Sequence, residues 1–296
     1  MTPTNQMIVP HLWFDREAAE ATEFYTSLFP DSRITGKTTI TNTPSGQVDI
    51  ITFNLWGGGF MAINAGPLFR FNPAVSFFVY CGAGNTIDRL YKELSMGGTA
   101  IMPLDKYPWS DRYAWVQDRF GLTWQLDIDD IHAPQKILPT LLFVNEKHTR
   151  VKEAVSFYTA VFPGSKVILE APYDKSAGVP EGTLLFAQYK LNGYLINSMS
   201  STLKHDYDFN ESVSLMVYCN NQEEMDYYWE KLTFEGQEQP CGWVKDKFGV
   251  SWQVVPAAMD EMMRTKNKEQ LRRLTEAMLQ MVRLDLEKLQ QAFYNK

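Results

Sequence analysis

The stretch that decides the fold of this chain is Trp115-Val-Gln-Asp-Arg-Phe-Gly-Leu-Thr-Trp-Gln125, which returns as Trp243-Val-Lys-Asp-Lys-Phe-Gly-Val-Ser-Trp-Gln253. Seven of the eleven positions are identical, although tryptophan accounts for only 8 of the 296 residues. A match this dense indicates an internal duplication. The chain therefore consists of two copies of one unit, which we call repeat one and repeat two.

The repeated stretch itself predicts a β-hairpin. Its Asp, Phe and Gly supply a turn between two short β-prone runs, and Gly121 can adopt a positive φ there. Alternation along the second strand sends Trp124 and Gln125 to opposite faces of the sheet, and Trp252 and Gln253 likewise. One face is therefore packed, and the other presents an amide.

Working outward, each repeat contains two β-α-β-β-β modules. In the first module a strand over 8–14 precedes an amphipathic helix over 16–29, and three further strands follow. A second module continues to residue 128, and the whole pattern restarts at residue 137. We predict two domains, 1–130 and 137–256, each a curved sheet of eight strands with helices on its convex side.

The remaining segment, 257–296, is predicted to be helical. Its apolar residues form two stripes whose phase slips near Leu284, so two helices are expected rather than one. Such stripes are typical of helices that cover a sheet or a partner subunit. The short linker between the repeats favours an intramolecular pseudo-dimer, with a homodimer through these helices as a further option.

Composition excludes several classes of function. The net charge is −7 and no basic run stands out, which argues against nucleic acid as a partner. No apolar run approaches the length of a membrane span and no signal peptide precedes the first strand, so we expect a cytoplasmic protein. The three cysteines have no C-x-x-C spacing, and we expect buried thiols rather than disulfides or a zinc site.

The motifs resemble those of the vicinal-oxygen-chelate superfamily. Pro-x-Leu-x-Phe opens each repeat at Pro10 and Pro139, Phe-Tyr-x-x-x-Phe-Pro-x-Ser closes each first helix, and Asp-x-Phe-Gly-x-x-Trp-Gln closes each repeat. The chain most resembles the PhnB-like branch, labelled as 3-demethylubiquinone-9 3-methyltransferase domains. The resemblance implies an α+β fold of two tandem glyoxalase-like domains. Each has paired βαβββ modules that form a curved mixed sheet, and C-terminal helices follow.

The resemblance also implies where a metal ion would bind, because metal-dependent members use four side chains that project into the cup of the sheet. Gln125 and Gln253 occupy a position where such members carry Glu, and His11 lies near the first-strand position, with Thr140 as its counterpart. The other positions, near Ile51 or Thr52 and near Ala74 to Ser76, offer no His or Glu. We therefore predict no tightly bound metal and no cofactor. A divalent-metal-dependent lyase, isomerase or dioxygenase that uses His11 and Gln125 is the alternative.

Other catalytic motifs are missing from the sequence. Gly82-Ala83-Gly84 lacks the third glycine of a dinucleotide loop, no glycine-rich S-adenosylmethionine loop follows a first strand, and no G-x-S-x-G elbow occurs. We assign no catalytic residue.

What remains is a cup lined by aromatic and polar side chains, which suits a small aromatic or anionic ligand. Arg112 is expected to bind a carboxylate or phosphate of that ligand. A non-catalytic interaction protein is a third hypothesis. The predicted ligand-binding residues of repeat one are His11, Trp13, Ser76, Trp109, Arg112, Trp115 and Gln125, and those of repeat two are Ser214, Trp243 and Gln253.

Overall fold

A computed structural model describes residues 6–295 of the chain. Within these residues, four β-α-β-β-β modules form two eight-stranded mixed sheets, and three helices follow the last strand. This architecture confirms the predicted α+β class and its paired β-α-β-β-β modules.

Repeat one supplies modules 1 and 2. Module 1 consists of β1 (Ile8–Phe14), α1 (Ala18–Leu28), β2 (Arg33–Thr43), β3 (Gly46–Leu55) and β4 (Gly58–Asn64). Module 2 consists of β5 (Val75–Tyr80), α2 (Gly84–Ser95), β6 (Thr99–Tyr107), β7 (Ser110–Gln117) and β8 (Thr123–Asp127).

Repeat two supplies modules 3 and 4, and then the C-terminal helices. Module 3 consists of β9 (Ile137–Phe143), α3 (Val151–Val161), β10 (Lys166–Pro172), β11 (Leu184–Leu191) and β12 (Tyr194–Ser200). Module 4 consists of β13 (Val213–Cys219), α4 (Gln222–Thr233), β14 (Gln237–Glu238), β15 (Trp243–Lys245) and β16 (Ser251–Pro256). The C-terminal helices are α5 (Ala258–Met263), α6 (Lys268–Leu279) and α7 (Leu286–Tyr294).

Each sheet combines one module from each repeat. Sheet 1 has the order β14-β15-β16-β13-β1-β4-β3-β2, and sheet 2 has the order β10-β11-β12-β9-β5-β8-β7-β6. The modules meet at the antiparallel pairs β1–β13 and β5–β9. The prediction that each repeat forms its own eight-stranded sheet is therefore wrong, because both central strands of repeat one pair with strands of repeat two.

The two sheets share one apolar core. Phe60 of sheet 1 and Phe77 of sheet 2 approach to 5.3 Å between ring centroids, and Tyr25 of α1 packs against Trp124 of sheet 2 at 5.1 Å. Side chains alternate along each strand, so every strand has a core face, directed into this shared core, and an opposite face. We call the opposite face the cup face.

The repeated Asp-x-Phe-Gly-x-x-Trp-Gln motif ties the turn between the last two strands to the core. Asp246 accepts hydrogen bonds from Phe248 N at 2.9 Å, Val250 N at 3.0 Å, Trp252 Nε1 at 2.9 Å and Tyr158 Oη at 2.7 Å. Gly249 has a φ of 87°, a conformation that a side chain would strain.

Asp118 makes the same set of four hydrogen bonds in repeat one, where Tyr25 provides the hydroxyl. In both repeats the tyrosine lies on the first helix of one module and the aspartate in the other module. The motif therefore holds the two modules of a repeat together across the shared core.

The C-terminal helices lie on the cup face of sheet 1. Met263 and Leu271 pack with Trp13, Ile40 and other apolar side chains of that face. Two hydrogen bonds also hold the C-terminal helices against sheet 1. Thr38 Oγ1 donates to Met263 O at 3.0 Å, and Tyr218 Oη donates to Asp260 at 2.9 Å. The predicted phase slip matches the break between α6 and α7, and the short helix α5 precedes them.

The linker between the repeats is tied to both sheets. The buried side-chain amide of Gln135 donates from Nε2 to Leu195 O at 2.9 Å and accepts at Oε1 from Leu195 N at 2.8 Å, so it binds the backbone of β12 in sheet 2. Lys136 N donates to Trp56 O of module 1 at 3.4 Å.

The cysteines among the described residues are free thiols. Cys81 and Cys219 are buried free thiols as predicted, and burial raises the pKa of each thiol to about 12. Cys241 is half-buried. No helix within residues 6–295 is long and apolar enough to cross a membrane.

Candidate functional site

The exchange of modules divides the predicted site residues between two separate cup faces. His11 and Trp13 lie on the cup face of sheet 1, and Gln125 lies on that of sheet 2. The prediction that His11, Trp13 and Gln125 line one pocket is therefore wrong. The structure instead brings together His11, Trp13, Ser214, Trp243 and Gln253 on sheet 1. It brings together Ser76, Trp109, Trp115 and Gln125 on or beside the cup face of sheet 2.

Arg112 does not line either cup face, which corrects a second prediction. On β7, Tyr113 and Trp115 belong to the cup face, so alternation directs Arg112 to the other side. There its guanidinium forms an ion pair with Asp88 of α2. Arg112 is thus not available to an anionic ligand in the cup.

On sheet 1, His11 lies opposite Ser214 in the β1–β13 ladder. Gln253 Nε2 donates to Ser214 Oγ at 2.9 Å, and the His11 ring meets Trp243 edge-on at 5.4 Å. His11 is 3% exposed and its Nδ1 has no hydrogen-bond partner. Burial lowers the pKa of His11 from 6.5 to about 3, so the imidazole is neutral at physiological pH.

This burial predicts a pH dependence of stability. The unfolded chain protonates His11 below pH 6.5 whereas the folded chain does so only near pH 3, so unfolding takes up a proton between these values. Lowering the pH from 7 to 5 should therefore cost about 2 kcal/mol at this residue. Urea unfolding of the wild type and of His11→Gln at both pH values measures it. The wild type should lose about 2 kcal/mol more than the variant, and equal losses would contradict the burial of a neutral His11.

The cup face of sheet 2 carries a row of uncharged polar side chains across five neighbouring strands. Ladder partners place Ser76 opposite Thr140, Thr140 opposite Asn197, and Asn197 opposite Gln188. Gln125 joins this row through its amide, which donates to Ser76 Oγ at 2.8 Å. We call these five residues the polar row, and every one of them is buried.

Hydrogen bonds divide the polar row into two groups, one around Gln125 and one around Asn197. In one group, Tyr113 Oη donates to Gln125 Oε1 at 2.7 Å. In the other group, Gln188 Nε2 donates to Asn197 Oδ1 at 3.1 Å, and Asn197 Nδ2 donates to Thr140 Oγ1 at 3.3 Å. The orientation of every amide is fixed by a neighbour, so the face is polar and preorganised.

Two donors on this face lack an acceptor among residues 6–295. The indole Nε1 of Trp115 is buried with no partner, and Trp115 is the ladder partner of Gln125. The Ser76 hydroxyl accepts from Gln125 but donates to none of the described residues. Because an unpaired buried donor is unfavourable, both atoms are suited to an acceptor oxygen supplied from outside the chain.

The donor sets of the two cup faces do not fit a divalent metal ion. Sheet 2 offers amides and hydroxyls at the four central positions, and sheet 1 offers His11, Ser214, Gln253 and Met61. Neither set has a carboxylate, and only one has an imidazole. Among the described residues, no three His, Cys, Asp or Glu side chains come together in a metal-binding group.

A surface pocket of about 860 Å³ lies at the margin of sheet 1. Its lining includes Asp15, Arg16, Asp49 and Asn64, none of which was predicted as a site residue. Arg16 is highly exposed, and Asp49 is paired with Lys37. We propose no function for this pocket, because its lining includes neither the polar row nor an unpartnered donor of the cup faces.

Sequence reasoning missed several residues of the sheet 2 cup face, namely Tyr113, Asn197, Gln188 and Asp127. Strand alternation could have found two of them, because Tyr113 and Asp127 stand two residues from Trp115 and Gln125. Asn197 and Gln188 depend on the pairing of modules 2 and 3, which the sequence pattern leaves open.

Comparison with known families supports the fold and the repeat. The family described as 3-demethylubiquinone-9 3-methyltransferase matches the sequence twice, over residues 6–127 and 135–255. None of the curated proteins compared with the chain matches it.

Among solved structures, a PhnB protein from Bacillus cereus is 37% identical over 41% of this chain and 98% of its own, with a TM-score of 0.39. A protein from Staphylococcus aureus is 33% identical over 42% of this chain and 97% of its own, with a TM-score of 0.19. Glyoxalase I from Zea mays is 10% identical over 88% of this chain and 97% of its own, with a TM-score of 0.57. At that identity the likeness to glyoxalase I concerns the fold alone.

Proposed function

Because the chain belongs to the PhnB-like family described as 3-demethylubiquinone-9 3-methyltransferase, in two tandem copies, we propose that it binds a small aromatic molecule on the cup face of sheet 2 without a metal ion. The family's fold supplies a cup-shaped sheet, and the residues on the sheet determine what can bind there. The proposal does not include methyl transfer, for which the sequence offers no cofactor loop.

The observation that carries this proposal is the buried, unpartnered indole N–H of Trp115 beside the polar row. A carbonyl or ether oxygen of a ligand would accept from this N–H and from the Ser76 hydroxyl. Gln125, held by Tyr113 and Ser76, would keep both donors in position. Such convergence of a few polar groups among aromatic side chains is typical of small-molecule sites.

The surroundings favour an aromatic ligand. Phe78, Tyr113 and Trp115 belong to one apolar cluster on this face, together with leucines of β9 and β12. Flat rings stack well on such a lining. The anionic group that the sequence suggested has no counterpart, because Arg112 is paired with Asp88 on the other side of the sheet.

Sheet 1 is the less suitable of the two faces. Its apolar half is covered by Met263 and Leu271 of the C-terminal helices. We therefore assign ligand binding to sheet 2, and we assign to sheet 1 the role of holding the C-terminal helices.

Benzamide is a suitable first probe because it combines a ring with a carbonyl acceptor and carries no charge. Ligand-observed NMR with the full chain should detect binding, and Gln125→Leu should weaken it by about tenfold, since one or two hydrogen bonds of about 1 kcal/mol each lose their support. Gln253→Leu, the equivalent change on sheet 1, is the matched control and should leave benzamide binding unchanged.

Removal of metal ions with a chelator tests whether benzamide binding needs a metal ion. Benzamide affinity should be the same before and after dialysis against EDTA. If binding required added Zn²⁺ or Ni²⁺, or fell with Gln253→Leu and not with Gln125→Leu, the proposed site and mode would be wrong.

A further inference from the structure

Five aromatic rings form an open cluster at one end of the cup face of sheet 2. Tyr107, Trp109 and Tyr113 contact one another at 5.2 to 5.6 Å between centroids, and Phe78 approaches Tyr80 at 4.9 Å and Tyr113 at 6.2 Å. We call these five residues the aromatic rim. Trp109 is 58% exposed, so the rim opens to solvent.

A buried carboxylate lies next to the aromatic rim. Asp127 is the ladder partner of Tyr113 on β7 and of Tyr80 on β5, and it is 4% exposed. Its Oδ1 accepts from Ser110 Oγ at 3.1 Å and from Asp129 N at 2.9 Å.

Asp127 takes part in none of the ion pairs formed by residues 6–295. Arg112 pairs with Asp88, Lys106 with Asp111, and Lys136 with Asp130. A buried carboxylate without a cationic partner is unfavourable, and burial accordingly raises the pKa of Asp127. A positive charge brought from outside would stabilise the ionised form.

Sheet 1 has no equivalent of this arrangement. The ladder partner of Tyr218 is Val255, where sheet 2 pairs Tyr80 with Asp127. The hydroxyl of Tyr218 is bonded to Asp260 of α5. The β6–β7 segment that provides Tyr107 and Trp109 is also nearly absent from repeat two, in which Pro240 almost directly precedes Trp243.

We propose that the aromatic rim and Asp127 bind the ammonium group of a small organic cation, whose remaining part lies over the polar row. Aromatic faces attract a cation through their quadrupoles, and the effect grows where water is excluded. The carboxylate adds the attraction between opposite charges, which is strong where water is excluded. This inference rests on the proposed function, because it names the class of ligand that the same cup face accepts.

Choline and 3,3-dimethylbutan-1-ol form a matched pair of probes, since they have nearly the same shape and differ in one positive charge. Calorimetric titration of the full chain should show choline binding at least about tenfold more tightly, because only choline gains the cation–π and ion-pair attractions. Asp127→Asn keeps the acceptor for Ser110 and should remove this preference by weakening choline alone. Trp109→Ala, at an exposed position, should weaken choline by about twofold to fivefold.

Asp129→Asn is the control for a general effect of negative charge, because Asp129 is exposed and only two residues away. It should change choline binding by less than about twofold. Equal affinity of the wild type for the two probes, or an equal loss with Asp129→Asn and Asp127→Asn, would overturn the inference even if Asp127→Asn folded poorly. Benzamide binding without a preference for choline would leave the proposed function intact, whereas failure of every probe would overturn both.

Discussion

Repeat one produced alone, as residues 1–130, should not give a folded monomer. In the full chain its strands β1 and β5 pair with β13 and β9 of repeat two. Without repeat two, two apolar strands that are buried on both faces would become open edges. Such edges recruit other strands. We expect repeat one to form dimers or larger aggregates, in which β1 of one copy pairs with β5 of another, and light scattering after size exclusion would measure this.

Co-expression of 1–130 with 131–296 as two separate chains is the matched experiment. It should yield a one-to-one complex with the circular dichroism spectrum of the intact protein, because each fragment supplies the missing strand to the other. A protease site placed in the linker should likewise leave the cleaved halves associated until denaturant is added. A monodisperse monomer of 1–130 with cooperative unfolding would show that the repeats are independent domains.

Asp246→Ala should lower the free energy of unfolding by about 4 kcal/mol or more. The change leaves four buried donors without an acceptor, two of them from the backbone of the turn and two from Tyr158 and Trp252. Each unpaired buried donor costs roughly 1 to 3 kcal/mol. Since native domains are stable by only about 5 to 15 kcal/mol, this loss would leave a marginal fold. Urea unfolding followed by tryptophan fluorescence measures it.

Tyr158→Phe provides the calibration for this experiment, because it removes one of the four hydrogen bonds and keeps the ring. It should cost about 1 kcal/mol. Asp118→Ala should match Asp246→Ala, since the two aspartates make the same contacts in the two repeats. If Asp246→Ala cost no more than Tyr158→Phe, the motif would not be the clamp that its geometry indicates.

The modules and the faces of their strands could be predicted from the sequence because both are local properties. The repeated Asp-x-Phe-Gly-x-x-Trp-Gln motif marks the same hairpin twice, and alternation correctly placed Trp124 in the core and Gln125 on the opposite face. The apolar stripes of the last forty residues likewise predicted helices that cover a sheet.

The exchange of modules could not be predicted, because the competing partners look alike. Strand β1 could pair with β5 or with β13, and both of these strands begin with Val-Ser, at Val75 and at Val213. Either choice satisfies the same hydrophobic pattern and hydrogen-bond ladder. The decision depends on how the linker and the shared core arrange the four modules in space, which is a property of the whole chain.

Side-chain alternation along β7 and β8 is enough to predict which of their residues belong to the candidate site. Arg112 is three residues from Trp115, an odd separation that places the two on opposite faces of β7, so its assignment to the pocket ignored an available signal. Asp127, two residues after Gln125, follows from the same rule. With Arg112 in the pocket the expected ligand is an anion, whereas with Asp127 there it is a cation.

The pairing of β1 with β13 also determines how late sheet 1 can form while the chain is being synthesised. Residues 8–12 must wait for residues 213–217, about 200 positions later, before the centre of sheet 1 can close. At about 5–20 residues per second the ribosome needs roughly 10–40 s to deliver them. Modules 2 and 3 are neighbours in the chain, so sheet 2 can close earlier. Module 1 is therefore the part of the nascent protein that is open longest, and chaperone binding during translation should concentrate there.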